Sequence, residues 1–161
     1  MPSYDAHLGK AESNFQFLSS VNRLITGYPD WEVTICFYTA LHLMNAHLAK
    51  HDLHYRSHND VDYALNPYGL SPSKITEDVY IAYRSLRSLS RRARYLVSEK
   101  GSNDSSVKAS FTYDVHVAKA CRHLDTILNY FHEKGTLGFS SISFHCNQLK
   151  PGELNFIKVL S

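Results

Sequence analysis

Residues 30–48, DWEVTICFYTALHLMNAHL, leave a helix almost no polar face. Trp31, Val33, Ile35, Cys36, Phe37, Tyr38, Leu41, Leu43, Met44 and Leu48 fall all round its circumference. A helix apolar on nearly every side is stable only when other elements surround it, so this run predicts the central member of a bundle. GYPD at 27–30 stops whatever precedes it, and Asp30 suits the N-cap of a helix over 31–50.

Three further segments have the spacing needed to surround that helix. Leu8, Ala11, Phe15, Leu18 and Ile25 define a stripe over 4–25. Ile75, Val79, Ala82, Leu86, Leu89, Ala93 and Leu96 define one over 73–98, and Phe111, Ala118, Cys121, Leu124, Leu128 and Phe131 one over 107–132. A short helix fits 60–65, while NPYGLSPS at 66–73 and GSNDSS at 101–106 are loops by their Pro, Gly and Ser content. The tail then changes character. ISFHCNQL and LNFIKVL flank KPGE, which places Pro151 and Gly152 at the centre of a type II turn and predicts a β-hairpin. An isolated hairpin is marginal in water, so it must pack on the bundle or on a dimer mate. The expected fold is all-α: an up-and-down bundle of four or five helices over 1–135, with a short C-terminal hairpin over 136–161.

Composition excludes several classes. A chain of 161 residues holds one core comfortably, and a net charge of +2 is too small to mark a nucleic-acid binder by bulk charge alone. Cys36, Cys121 and Cys146 form no CxxC pair, and Cys36 and Cys121 sit within apolar helical patterns, as buried cysteines of a reducing compartment do. The N-terminal residues lack the basic-then-apolar pattern of a signal peptide, and no apolar run approaches the length of about 18 needed to span a membrane. The expectation is a soluble, cytoplasmic protein.

HDLHYRSHND at 51–60 packs three histidines, an arginine, an asparagine and two aspartates into ten residues. On an unbroken helix His47, His51, His54 and His58 would share a band of about 60° and could offer imidazoles to zinc. The segment is poor in helix formers, however, and no carboxylate or cysteine stands at a metal-motif spacing. The expectation is therefore a polar helix end and no metal, with His47, His51 and His54 as the alternative metal set.

YRSLRSLSRRARYLV, from Tyr83, carries a clearer pattern. Arg84, Arg87, Arg91 and Arg94 fall within a band of about 80° on a helix, Tyr95 lies beside it and Arg92 is off it. No acid lies between Asp78 and Glu99, so pairing within the helix cannot neutralise the row. Either the acids of other segments (Asp5, Glu12, Asp60, Asp62, Asp114, Asp125) answer it, or it is a phosphate-binding face with an aromatic ready for stacking.

Catalytic motifs are sparse. There is no GxSxG elbow and no Gly-rich phosphate loop. Metal-independent RNA cleavage asks for less: a group to move the 2′-hydroxyl proton and a cation for the phosphorane. Arg56, His58 and Asn59 supply such groups on a segment that could fold toward Arg94 and Tyr95, and these five are the candidate catalytic set. Tyr38 and His42 form an i,i+4 pair on the central helix, with His42 read as a satisfied core histidine.

Together, DWEVTICFYTALHLMNAHL, RSHND at 56–60 and YRSLRSLSRRARY at 83–95 resemble the HEPN superfamily of helical-bundle domains, over roughly residues 4–132. The resemblance implies a bundle of four or five helices, a homodimer, and a place among RNA-cutting toxins and defence nucleases of prokaryotes or among non-catalytic nucleotide- or RNA-binding relatives. Active members carry an arginine followed four to six residues later by a histidine. That motif is absent: Arg23 meets no histidine before His42, Arg56 reaches His58 too soon, Arg94 meets none before His116, and Arg122 adjoins His123. The expected function is RNA binding, with cleavage left open and no cofactor, and with an antitoxin or other protein as a further partner. The alternatives are a non-catalytic protein-interaction or nucleotide-binding module and a histidine-rich metal-binding bundle.

Overall fold

The computed structural model describes residues 1–96, 111–135 and 137–160. It is a helical bundle with two short C-terminal strands, as expected. Helix α1 spans Tyr4–Ser20 and continues as a π-helical turn over Val21–Ile25. Helix α2 spans Pro29–Lys50, α3 His58–Leu65, α4 Glu77–Tyr95 and α5 Asp114–Glu133. Strand β1 is Ile142–Phe144 and β2 is Ile157–Val159.

Helix α2 is the central member, packed against α1, α4 and α5. Val33, Cys36, Phe37, Ala40, Met44 and Leu48 are fully buried along it. Its start differs from the expected one. Pro29 occupies the first turn, where its fixed φ and missing N–H cost nothing, and Tyr28 is the N-cap. Asp30 thus falls inside the helix, where its charge still complements the positive end of the dipole. Trp31 is 58% exposed instead of buried, because it lies on the outer side of this turn while Glu32, Val33 and Thr34 beside it face inward.

The first helical run keeps its expected bounds, but α4 starts at Glu77 instead of Ser73, whose hydroxyl bonds the Ala64 carbonyl, and α5 starts at Asp114, after non-helical residues 111–113. Thr26 at φ +44° and Gly27 at φ +82° end the first helical run. Leu96, at φ +53°, ends α4 after Tyr95, and residues 97–98 of the expected helix lie outside the described residues. The same holds for the 101–106 loop and for residues 107–110 at the start of the expected fourth helix. Phe111 precedes α5 and is 40% exposed, so it is not part of the α5 core stripe. Ile25 and Leu96 are likewise exposed.

The expected hairpin is a parallel pair, with Ile142 opposite Ile157 and Phe144 opposite Val159. The turn itself forms as read: the N–H of Glu153 donates to the Lys150 carbonyl at 3.1 Å, and Gly152 sits at φ +77°. It lies within a crossover over 145–156, the length a parallel connection needs. Long-range anchors decide this topology. Asn22 donates to the His145 carbonyl (2.8 Å) and accepts from the His145 N–H (2.7 Å). Asp125, buried on α5, accepts from the N–H groups of Asn155 and Phe156. The chain is pinned to α1 at one end of the crossover and to α5 at the other. Phe144, Ile142 and Ile157 thereby join the common hydrophobic core.

Cys36, Cys121 and Cys146 are free and buried. No described helix is long and apolar enough to cross a membrane.

Candidate functional site

The four arginines of the row lie on α4, and α3 is the element that meets them. Ser57 caps α3 by accepting from the Asp60 N–H at 3.1 Å, which draws His58 and Asn59 out of the expected loop into the first helical turn. One turn further, Asp62 reaches α4. Arg87 donates through Nη1 to Asp62 Oδ2 at 2.5 Å and through Nη2 to Asn59 Oδ1 at 3.2 Å. Arg84 Nε stands 3.9 Å from the same Asp62 oxygen, with its side chain 61% exposed. One carboxylate therefore answers the first half of the row.

The second half has no such answer. Arg94 stacks on three rings, with its guanidinium carbon 5.9 Å from the centre of Phe37, 5.7 Å from Tyr38 and 4.9 Å from Tyr95. It donates to the hydroxyls of Tyr38 (3.2 Å) and Tyr95 (3.4 Å) and to the Ser90 carbonyl (3.4 Å). Arg91 is exposed. Among the described residues neither Arg91 nor Arg94 has a carboxylate partner. Arg92, off the row as expected, is buried and donates through Nε to the Phe111 carbonyl at 3.0 Å.

His58 joins this half. Its ring lies 5.7 Å from Phe37, on which Arg94 also rests. Burial pushes its pKa below the ordinary histidine value, Arg87 and Arg94 push it further, and Asp62 opposes them. The imidazole is therefore neutral at pH 7, able to accept a proton, with a guanidinium alongside that could stabilise negative charge on phosphorus.

Three of the five candidate catalytic residues thus gather at one place, His58, Arg94 and Tyr95, while Asn59 bonds Arg87 in the other half of the row. Arg56 does not join them. It is exposed and lines a cleft with His7, Leu53 and His54 on another face. Phe37 is read from the sequence as part of an apolar helix and Tyr38 as an i,i+4 partner of His42, whereas both form the floor under Arg94. A tyrosine hydroxyl on an otherwise apolar helix is the signal that points to Tyr38.

The histidines do not share a face. Helix α2 stops at Lys50 and Asp52 turns the chain at φ +59°. His47 bonds through Nε2 to the Ser73 carbonyl at 2.8 Å and meets the His51 ring edge-on at 5.0 Å. His54 lies instead beside His7, whose Nδ1 is 3.2 Å from that of His42, so His42 pairs with α1 rather than with Tyr38. The metal set of His47, His51 and His54 is therefore split, and no group of three or more potential ligands is arranged for a metal among the described residues.

No protein-family model, curated protein or solved structure matches this chain.

Proposed function

We propose that the protein is an HEPN-like, RNA-associated protein of a prokaryotic defence or toxin–antitoxin system, taking single-stranded RNA on the face formed by Arg91, Arg94, Tyr95 and His58. One observation carries the reading. Asp62 pairs with Arg87 and stands near Arg84, whereas Arg91 and Arg94 have no carboxylate among the described residues and stand beside an exposed tyrosine and an imidazole whose pKa is lowered. Guanidinium groups without counter-charge suit phosphates, and Tyr95, 64% exposed, offers a ring on which a base can stack. Metal-independent cleavage would use His58 as the base on the 2′-hydroxyl and Arg94 as the cation for the phosphorane.

End-labelled RNA, incubated with the protein with and without EDTA and run on native and denaturing gels, tests both levels. The expected result is a shifted band whose affinity falls steeply with salt and drops about tenfold or more in Arg91→Glu and Arg94→Glu. Cleavage that resists EDTA and disappears in His58→Ala would make it a ribonuclease, whereas an intact shifted band would make it a binding module. Affinity untouched by both arginine changes would remove the reading.

A second reading, a protein-interaction module that dimerises or takes an antitoxin-like partner, is favoured by a different surface. Phe17, Ile25, Tyr28 and Trp31 line an apolar groove at the junction of α1 and α2, each about half exposed. Sedimentation of the protein alone and of Trp31→Arg tests it. A dimer that the substitution converts to monomer supports it, and a wild-type monomer removes the homodimer.

A further inference from the structure

Away from the arginine row, the start of α1, the last turns of α2 and the end of α5 enclose a half-open cavity of about 360 Å³. That size falls in the range of small-molecule sites, about 300–1,000 Å³. Its inner wall is apolar, built from Leu8, Leu43, Ala46 and Phe131, while Lys50, His51, His47 and Lys134 stand along its rim and side. None of the described residues lining it is acidic.

These cations have a structural explanation that falls short. Helices α2 and α5 both end here, and basic residues in a last turn offset the negative end of a helix dipole. Each helix end carries about half a negative charge, so two ends balance one lysine and leave the other in excess. Neither lysine finds a carboxylate among the described residues. Lys50 rests over the Tyr4 ring at 4.5 Å and Lys134 over the Tyr130 ring at 4.8 Å. Glu133 and Asp78 line a neighbouring cleft that Lys134 also borders, and neither pairs with it. His47 feels this excess. Burial first, then His51, Lys134 and Lys50, push His47 below its ordinary pKa against the opposing bond to Ser73.

We infer that this cavity binds a small organic anion, with a carboxylate or phosphate head between Lys50 and Lys134 and a flat apolar body against Phe131 and Leu43. Both halves of that description are needed. An inorganic ion would leave the apolar wall uncovered, and a neutral aromatic would leave the lysines unanswered. His47 Nε2 donates to the Ser73 carbonyl, so the neutral ring has no proton left on Nδ1 for an anion, and the lysines carry the ligand head.

The test is titration calorimetry of the full chain with phenyl phosphate and benzoate, with inorganic phosphate and phenol as the stripped halves. Phenyl phosphate or benzoate should bind with one-to-one stoichiometry and more tightly than either half. Lys50→Gln and Lys134→Gln, both at exposed positions, should each weaken binding about tenfold with an unchanged melting temperature. Arg91→Glu should leave it intact, which separates this site from the proposed RNA face. Failure of both organic anions to bind would overturn the inference. So would phosphate or phenol binding as well as the organic anions, or loss of binding in Arg91→Glu but not in the lysine variants.

Discussion

Asp125 on α5 and Arg94 on α4 are both charged residues drawn in toward the core, yet their surroundings differ in kind. Asp125, 6% exposed, accepts from the backbone N–H groups of Asn155 and Phe156 and from the side-chain amide of Asn129. Every donor it meets belongs to the protein, and its position dictates where the C-terminal segment lies. Beside it Arg122 pairs with Glu153 at 2.5 Å and holds the Gln148 carbonyl at 2.8 Å. Arg94 has two phenolic hydroxyls, one carbonyl and three rings around it, and no opposite charge among the described residues. Charge matched within the chain does structural work, and charge left unmatched at the surface is where an outside anion gains most.

The largest effect should come from breaking the matched side. Asp125→Ala leaves two backbone N–H groups without acceptors and loosens the crossover where Asn155 and Phe156 meet α5, at a cost of about 3 kcal/mol in urea unfolding. Arg91→Ala, which removes a group with no carboxylate among the described residues, should stay within about 0.5 kcal/mol of the parent in the same titration. Equal losses would mean that the two regions are not different in the way described.

The next effect comes from making the matched half of the arginine row resemble the open half. In Asp62→Asn, Arg84 and Arg87 lose their only carboxylate among the described residues. Stability should fall by about 1–2 kcal/mol. The salt dependence of RNA binding should meanwhile steepen by about one counterion for each freed arginine that reaches a phosphate. A destabilised variant with unchanged salt dependence would confine the RNA to Arg91 and Arg94 or remove it from the row altogether.

What could be read from the chain beforehand divides along similar lines. Periodicity within one segment located α2 at the centre and placed Arg84, Arg87, Arg91 and Arg94 on one face of a helix, because both depend only on residues within a few turns of each other. It did not reveal which half of the row is neutralised. Asp62 was one of six candidate acids, and only the packing of α3 on α4 selects it, whereas Asp125 turns to backbone N–H groups instead. The shared histidine face failed at one residue, since Asp52 at φ +59° sends His54 toward α1 and His58 onto α3. The hairpin failed for a long-range reason. KPGE forms its turn, but Asn22 and Asp125 hold the flanking chain so that the strands run parallel. Trp31 misled because an all-apolar run does not disclose which residue of a turn faces outward: Val33 and Thr34 are buried while Trp31 is exposed.

The smallest effect lies beneath the arginine row, at Tyr83. Its side chain is fully buried on α4, with its ring 6.0 Å from Phe37, and its hydroxyl has no hydrogen-bond partner among the described residues. Asp62 Oδ1 is unpartnered too. Burial first, and the charge of Asp62 after it, raise the phenol pKa, while Arg87 works against them. The hydroxyl was thus desolvated without compensation, and Tyr83→Phe should stabilise the protein by about 1 kcal/mol while leaving RNA affinity unchanged. Thermal melting alongside the RNA titration measures both. A loss of similar size would mean that the hydroxyl is bridged in solution to Asp62 Oδ1, as an ordered water could do. Asp62 would then be held from both sides, by Arg87 and by Tyr83. The neutralised half of the row would be a fixed structural unit, leaving Arg91 and Arg94 as the part of α4 free to meet an anion.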